Sequence, residues 1–219
     1  MVAQARKSPF TWSLIPIGLL VLGRWGLLYW ILRLVAVPEG YLWGIATFLR
    51  LVLIGVALAL EWGHWDDFFI ARRNLGRSLV DGLLMTAAFA GVGWAYAHLT
   101  LGGVHWLPWN EWLPTFLAAL IPAGLVEELE FRALLLGLLR RWRMPTLWAN
   151  LLVGVYFGPV YHNRYIFRGD YLTLGIVFVF GLVAGWLTLR RQNVAGAVIG
   201  HTAMDFLIFL FVGGRVSTL

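Results

Sequence analysis

Seven stretches of mostly apolar residues, each about as long as a membrane is thick, dominate this chain. They fall at roughly 13–36, 41–61, 79–99, 113–139, 145–163, 171–189 and 194–213. A helix rising 1.5 Å per residue needs about 20 residues to cross a hydrocarbon core ~30 Å thick. Lipid offers no hydrogen bonds, so a spanning segment must satisfy its own backbone, which a helix does. Of the 219 residues 60% are hydrophobic and 13% charged, whereas soluble domains are about half apolar and about 25% charged. The expected fold is an all-α polytopic transmembrane helix bundle of about seven spanning helices, forming a single integral membrane domain over 1–219. Thirteen Trp residues suit belts at the membrane–water interfaces.

The basic residues alternate between the loops. Arg6, Lys7, Arg72, Arg73, Arg77, Arg140, Arg141, Arg143, Arg190 and Arg191 fall on one side of a seven-span chain; Arg33, Arg164, Arg168 and Arg215 fall on the other. Under the positive-inside rule the richer side is cytoplasmic, with the N-terminus inside. The same distribution accounts for the net charge of +6 without nucleic acid as a partner. Arg6 and Lys7 precede an apolar stretch as in a secretory signal, but that stretch runs to about Val37 and no small-x-small cleavage site follows, so a retained first helix is expected. Segment 62–78, with aromatics beside Arg72, Arg73 and Arg77, reads as an interfacial amphipathic connector. The pairs Gly154/Gly158, Gly181/Gly185 and Gly196/Gly200 have the spacing that lets membrane helices approach closely. The chain has no cysteine, which excludes disulfides, thiolate nucleophiles and Cys metal sites.

Inside the fourth apolar run lies Glu127-Glu128-Leu129-Glu130-Phe131-Arg132. One unpaired charge at the bilayer centre costs from about 2.5 to more than 10 kcal/mol, so such residues persist where they pair, face a cavity or carry chemistry. Glu128 and Arg132 stand at i,i+4 with the acid first, the favourable order for a helical ion pair. Glu127 projects about 100° away on the same helix and has no local basic partner, which suits a general base. The distant candidates are His162, near the end of the fifth run, and His201 with Asp205, which share a face of the seventh at i,i+4. For each of these the alternative is structural: an ion pair or hydrogen bond stitching helices together. His64, with Asp66 and Asp67, reads as solvated. His98 and His105 read as headgroup-level residues, and Asp81 as an end charge. Arg24 and Arg50 lie within apolar runs, where they either snorkel or pair with the core acids. Glu130 has no evident role.

Other hydrolytic chemistries lack their residues. There is no His-Glu-x-x-His and no Gly-x-Ser-x-Gly, and none of Ser8, Ser13, Ser78 and Ser217 lies mid-span. A paired-aspartate mechanism has one good candidate, Asp205.

These residues resemble the CAAX-protease and bacteriocin-processing (CPBP, or Abi) family of glutamic-type intramembrane endopeptidases. Its Glu-Glu-x-x-x-Arg motif is matched by Glu127, Glu128 and Arg132, and its His-x-x-x-Asn/Asp motif by His201 and Asp205. The intervening Phe-x-x-x-His motif departs: Phe157 precedes His162 by five positions, Gly158 takes the fourth, and Pro159 lies between. The resemblance covers about 113–213. It implies hydrolysis of a peptide bond in a membrane-associated or lipid-modified protein or peptide. Glu127 and His162 would activate water, His201 and Asp205 would serve the oxyanion, and Glu128 and Arg132 would support them. Asp205 either donates in its protonated form or accepts from His201 and orients that ring. The implied mechanism needs no cofactor; Zn²⁺ held by His and carboxylate is the alternative. The expected setting is the lipid bilayer of a prokaryotic plasma membrane. A non-catalytic scaffold or bacteriocin-immunity-type protein is the alternative function. A proton-coupled transporter is a further one, against which stands the lack of an internal repeat.

Overall fold

The computed structural model describes residues 14–22, 28–62, 64–70 and 72–213. Among them it is all helical, with no strand. The elements are α1 (Leu14–Leu22), α2 (Leu28–Leu34), α3 (Glu39–Leu60) and α4 (Leu75–Leu101), then α5 (Trp109–Arg141). Helix α6 (Thr146–Val155) continues into a π-helical turn, Tyr156–Tyr161, and α7 (Tyr171–Arg191) and α8 (Ala195–Val212) follow.

Five of these, α3, α4, α5, α7 and α8, are long and apolar enough to cross a membrane. Their outer faces carry exposed Phe48, Val56, Leu83, Leu84, Val179 and other large apolar side chains, a surface suited to lipid and far too apolar for water. The count of about seven spans is not confirmed. Of expected run 13–36, helices α1 and α2 are described, and residues 13 and 23–27 lie outside the described ones. Expected run 145–163 yields ten residues of α-helix and a six-residue π turn, less than a full span. Arg6, Lys7, Arg24 and Arg215, with Ser8, Ser13 and Ser217, also lie outside the described residues.

Small residues set the helix packing. Helices α4 and α8 pack along most of their length, and a Cβ at Gly82 would strike the backbone of Gly196. There Ser78 Oγ accepts from the Gly196 amide at 2.9 Å and donates to the Asn193 carbonyl at 3.1 Å. On the other side of the bundle Gly154 faces Leu182, and Gly158 faces Phe178. The glycine pairs therefore do pack as their spacing predicts. Gly82→Ala is expected to lower stability by about 1–3 kcal/mol through overpacking, read as an earlier thermal unfolding in detergent; an unchanged transition would contradict the close approach.

Buried ion pairs bind one end of the bundle. Arg141 meets Glu61 at 2.5 Å, and Arg191 grips Asp81 with two bonds of 2.6 and 2.9 Å. Asp81, read as an end charge, is thus a buried partner of Arg191. These contacts join the C-terminal ends of α3 and α5, and the C-terminal end of α7 to the N-terminal part of α4. At the opposite end the loop after α4 runs beside the end of α8, where the His105 and Leu107 amides donate to the Phe211 and Leu210 carbonyls at 2.7 and 3.1 Å. The described arginines segregate accordingly, in the alternation read from the loops. Segment 62–78 leads into the start of α4 at Leu75. It forms a 3₁₀ turn at Trp65–Phe68 and buries Phe68 and Phe69, because Gly137 on α5 leaves room for the Phe68 ring. His64 is exposed, as are His98 and His105.

Candidate active site

Helix α5 carries the acidic cluster on two π-helical stretches, Ala119–Glu127 and Leu129–Leu135. Pro122 lies inside the first and lacks the amide that an α-helical bond requires. Such π segments often mark functional sites. The helix sends its two neighbouring carboxylates to different places.

Glu128 turns into the core. It is fully buried, as is Arg132, whose Nη1 donates to Glu128 Oε1 at 3.0 Å. The same oxygen accepts from His201 Nδ1 at 2.7 Å. Arg132 Nη2 donates to the Gly181 carbonyl at 3.3 Å, and its guanidinium lies 4.1 Å from the centre of the Phe157 ring, within cation–π range. Helices α5, α7 and α8 and the Phe157 ring on the π turn thus converge on the Glu128–Arg132 pair. The bond to Glu128 fixes the proton of His201 on Nδ1 and turns Nε2 toward Asp205 Oδ2. That separation, 3.6 Å, is outside hydrogen-bond range.

Glu127 turns instead into a cavity of about 540 Å³, where it is joined by Tyr161, His162, His201 and Asp205. Tyr161 Oη donates to Glu127 Oε1 at 2.5 Å. His162 Nδ1 donates to the Phe157 carbonyl at 2.7 Å. A carbonyl only accepts, so the neutral ring has its lone pair on Nε2.

The five-residue spacing from Phe157 to His162 is resolved by the backbone. A π turn brings i and i+5 over one another, and Tyr156–Tyr161 is such a turn, with Pro159 inside. The two rings lie 4.8 Å apart, edge to face. The extra residue relative to Phe-x-x-x-His is absorbed, and the aromatic still covers both Arg132 and the histidine. The sequence depths of Glu127, His162 and His201, which differ along straight helices, converge through these π turns.

The sequence left one pairing open and hid one partner. Glu130 is buried against Arg50 of α3, which donates to Glu130 Oε2 from Nη2 at 2.6 Å and from Nε at 3.2 Å. Arg50 therefore pairs with a core acid and does not snorkel. Tyr161 is the hidden partner; its only sequence signal is its place beside His162 on a proline-bearing turn. Among the described residues no group of three or more His, Asp or Glu is arranged to hold a metal ion.

Helices and cavity together define a multi-pass integral membrane protein with a polar centre buried between its helices. Residues 108–207 match the family model "Type II CAAX prenyl endopeptidase Rce1-like". The match bears out the resemblance: over that segment the chain is similar to the CAAX-type endopeptidases. No curated protein and no solved structure matches the chain.

Proposed function

We propose that this single membrane domain is a glutamic-type intramembrane endopeptidase of a prokaryotic plasma membrane, acting on a membrane-associated or lipid-modified peptide. The observation that carries the reading is the meeting of Glu127, His162, His201 and Asp205 on one cavity, from three separate segments of the chain.

In this mechanism a water sits between Glu127 and His162. Glu127 takes its proton as the oxygen attacks the scissile carbonyl, and His162 Nε2 holds the water's other hydrogen. The carbonyl oxygen becomes an oxyanion near His201. With Glu128 on Nδ1 and Asp205 beside Nε2, the imidazolium is the form that offers a donor to both sides. Its Nε2–H then turns from Asp205 to the oxyanion, a fixed charge in a low-dielectric site. Collapse of the intermediate breaks the C–N bond, and Glu127 returns its proton to the leaving amine. Glu128 and Arg132 hold the His201 ring and touch no substrate. No step requires a metal.

The test is direct. Purified in detergent and given prenylated and unprenylated C-terminal peptides, the full chain is expected to release a C-terminal fragment at the same rate with and without a chelator. Loss of cleavage in chelator would restore the zinc alternative; no cleavage of any membrane peptide would favour the scaffold reading.

Tyr161 holds Glu127 in place. Removing its hydroxyl in Tyr161→Phe forfeits a hydrogen bond to an ionisable group, worth about 1.5–3 kcal/mol, or roughly 10- to 100-fold in kcat. KM and thermal stability are expected to stay near wild type, because the ring still packs on Phe131. Unchanged kcat would remove Tyr161 from the mechanism.

A further inference from the structure

The cavity and the basic residues occupy opposite ends of the bundle. Arg72, Arg73, Arg77, Arg140, Arg141, Arg143, Arg190 and Arg191 lie at the end closed by the Arg141–Glu61 and Arg191–Asp81 pairs. The cavity extends the other way. From Glu127 and His201, deep in α5 and α8, its wall runs to Tyr96 near the end of α4, to Arg164, and to Asp170 and Thr173 at the start of α7. All of these are at the Arg-poor end. Toward the Arg-rich end the route is filled: Phe131, Arg132, Leu134 and Leu136, on the next turns of α5, are fully buried. Exposed Trp43 on the cavity wall suits a rim at the membrane interface.

Arginine-rich loops stay in the cytoplasm. We propose that the cavity is entered from the extracytoplasmic face, so that the bond cut belongs to a membrane-tethered peptide segment exposed on that side. Arg164 and Asp170 then flank the entrance with opposite charges, and a peptide reaching Glu127 passes between them. Toward the cytoplasmic side the next turns of α5 are packed solid. This rests on the reading of the cavity as a peptide site, but its test does not depend on catalysis.

The chain has no cysteine, so a single introduced cysteine reports one position. Three variants of the full chain, Arg168→Cys on the Arg-poor loop, Thr173→Cys on the cavity wall and Arg72→Cys on the Arg-rich loop, are treated in intact bacterial cells with a membrane-impermeant sulfonated maleimide. Label is expected on Arg168→Cys and Thr173→Cys in intact cells, and on Arg72→Cys after permeabilisation alone. Label on Arg72→Cys in intact cells, with none on Arg168→Cys, would overturn the orientation. Label on Arg168→Cys but none on Thr173→Cys in intact cells would overturn the entrance. Should Thr173→Cys fail to accumulate, Val177→Cys, also on the cavity wall, takes its place under the same criteria. If the chain proves not to cut peptides, the labelling pattern is unaffected, so the two failures are distinguishable.

Discussion

Replacing Arg132 with Ala is expected to lower the unfolding free energy by about 3–5 kcal/mol, the usual cost of breaking a buried ion pair. For a chain of this size that is a fall of roughly 10 °C in the unfolding midpoint. The guanidinium is fully buried and answers Glu128, the Gly181 carbonyl and the Phe157 ring together. Its loss leaves the Glu128 carboxylate to His201 alone and opens a void among α5, α7 and α8. Arg132→Lys is expected to fall between Ala and wild type, because an ammonium retains the charge but has no planar fork to reach two acceptors and stack on a ring. Thermal unfolding in detergent, followed by the fluorescence of the thirteen Trp, reads both. An unchanged midpoint in Arg132→Ala would show that the pair is not a structural centre.

Much of this arrangement is legible in the sequence because it is periodic or local. The runs that became α3, α4, α5, α7 and α8 are legible from hydropathy alone, and their ends fall within a few residues of the observed ones. The Glu128/Arg132 and His201/Asp205 turns are legible because i,i+4 spacing places two side chains on one helix face. The segregation of basic loops holds for the described arginines, since charge placement obeys the bilayer and not the details of packing.

What is hidden depends on tertiary meeting. Arg50 and Glu130 are eighty positions apart, and nothing in either neighbourhood names the other. His201 meets Glu128, and not only Asp205, because α8 crosses α5 at that level. The π turn at Tyr156–Tyr161 escapes α-helical pattern reading, since a repeat of 3.6 residues places Phe157 and His162 on different faces. The signal that reveals it is the five-residue spacing taken together with Pro159. The fifth apolar run was legible as hydrophobic but not in the π turn that ends it: composition does not say whether a run stays one regular helix.

Glu127→Gln carries the larger functional effect. Gln has the size of Glu, and its carbonyl oxygen still accepts from Tyr161 Oη, so the cavity and the fold are expected to persist with an unchanged unfolding midpoint. The amide cannot take a proton from water at neutral pH. Loss of a general base costs roughly 10²- to 10⁴-fold in rate, and the loss should appear in kcat, since the cavity that receives the peptide is unaltered. Cleavage of a membrane peptide by wild-type and Glu127→Gln protein, purified side by side in one detergent with matched unfolding midpoints, is the decisive measurement. The account predicts release of the C-terminal fragment by the wild type and a loss of at least about 10²-fold in the variant; cleavage by Glu127→Gln at the wild-type rate would contradict it.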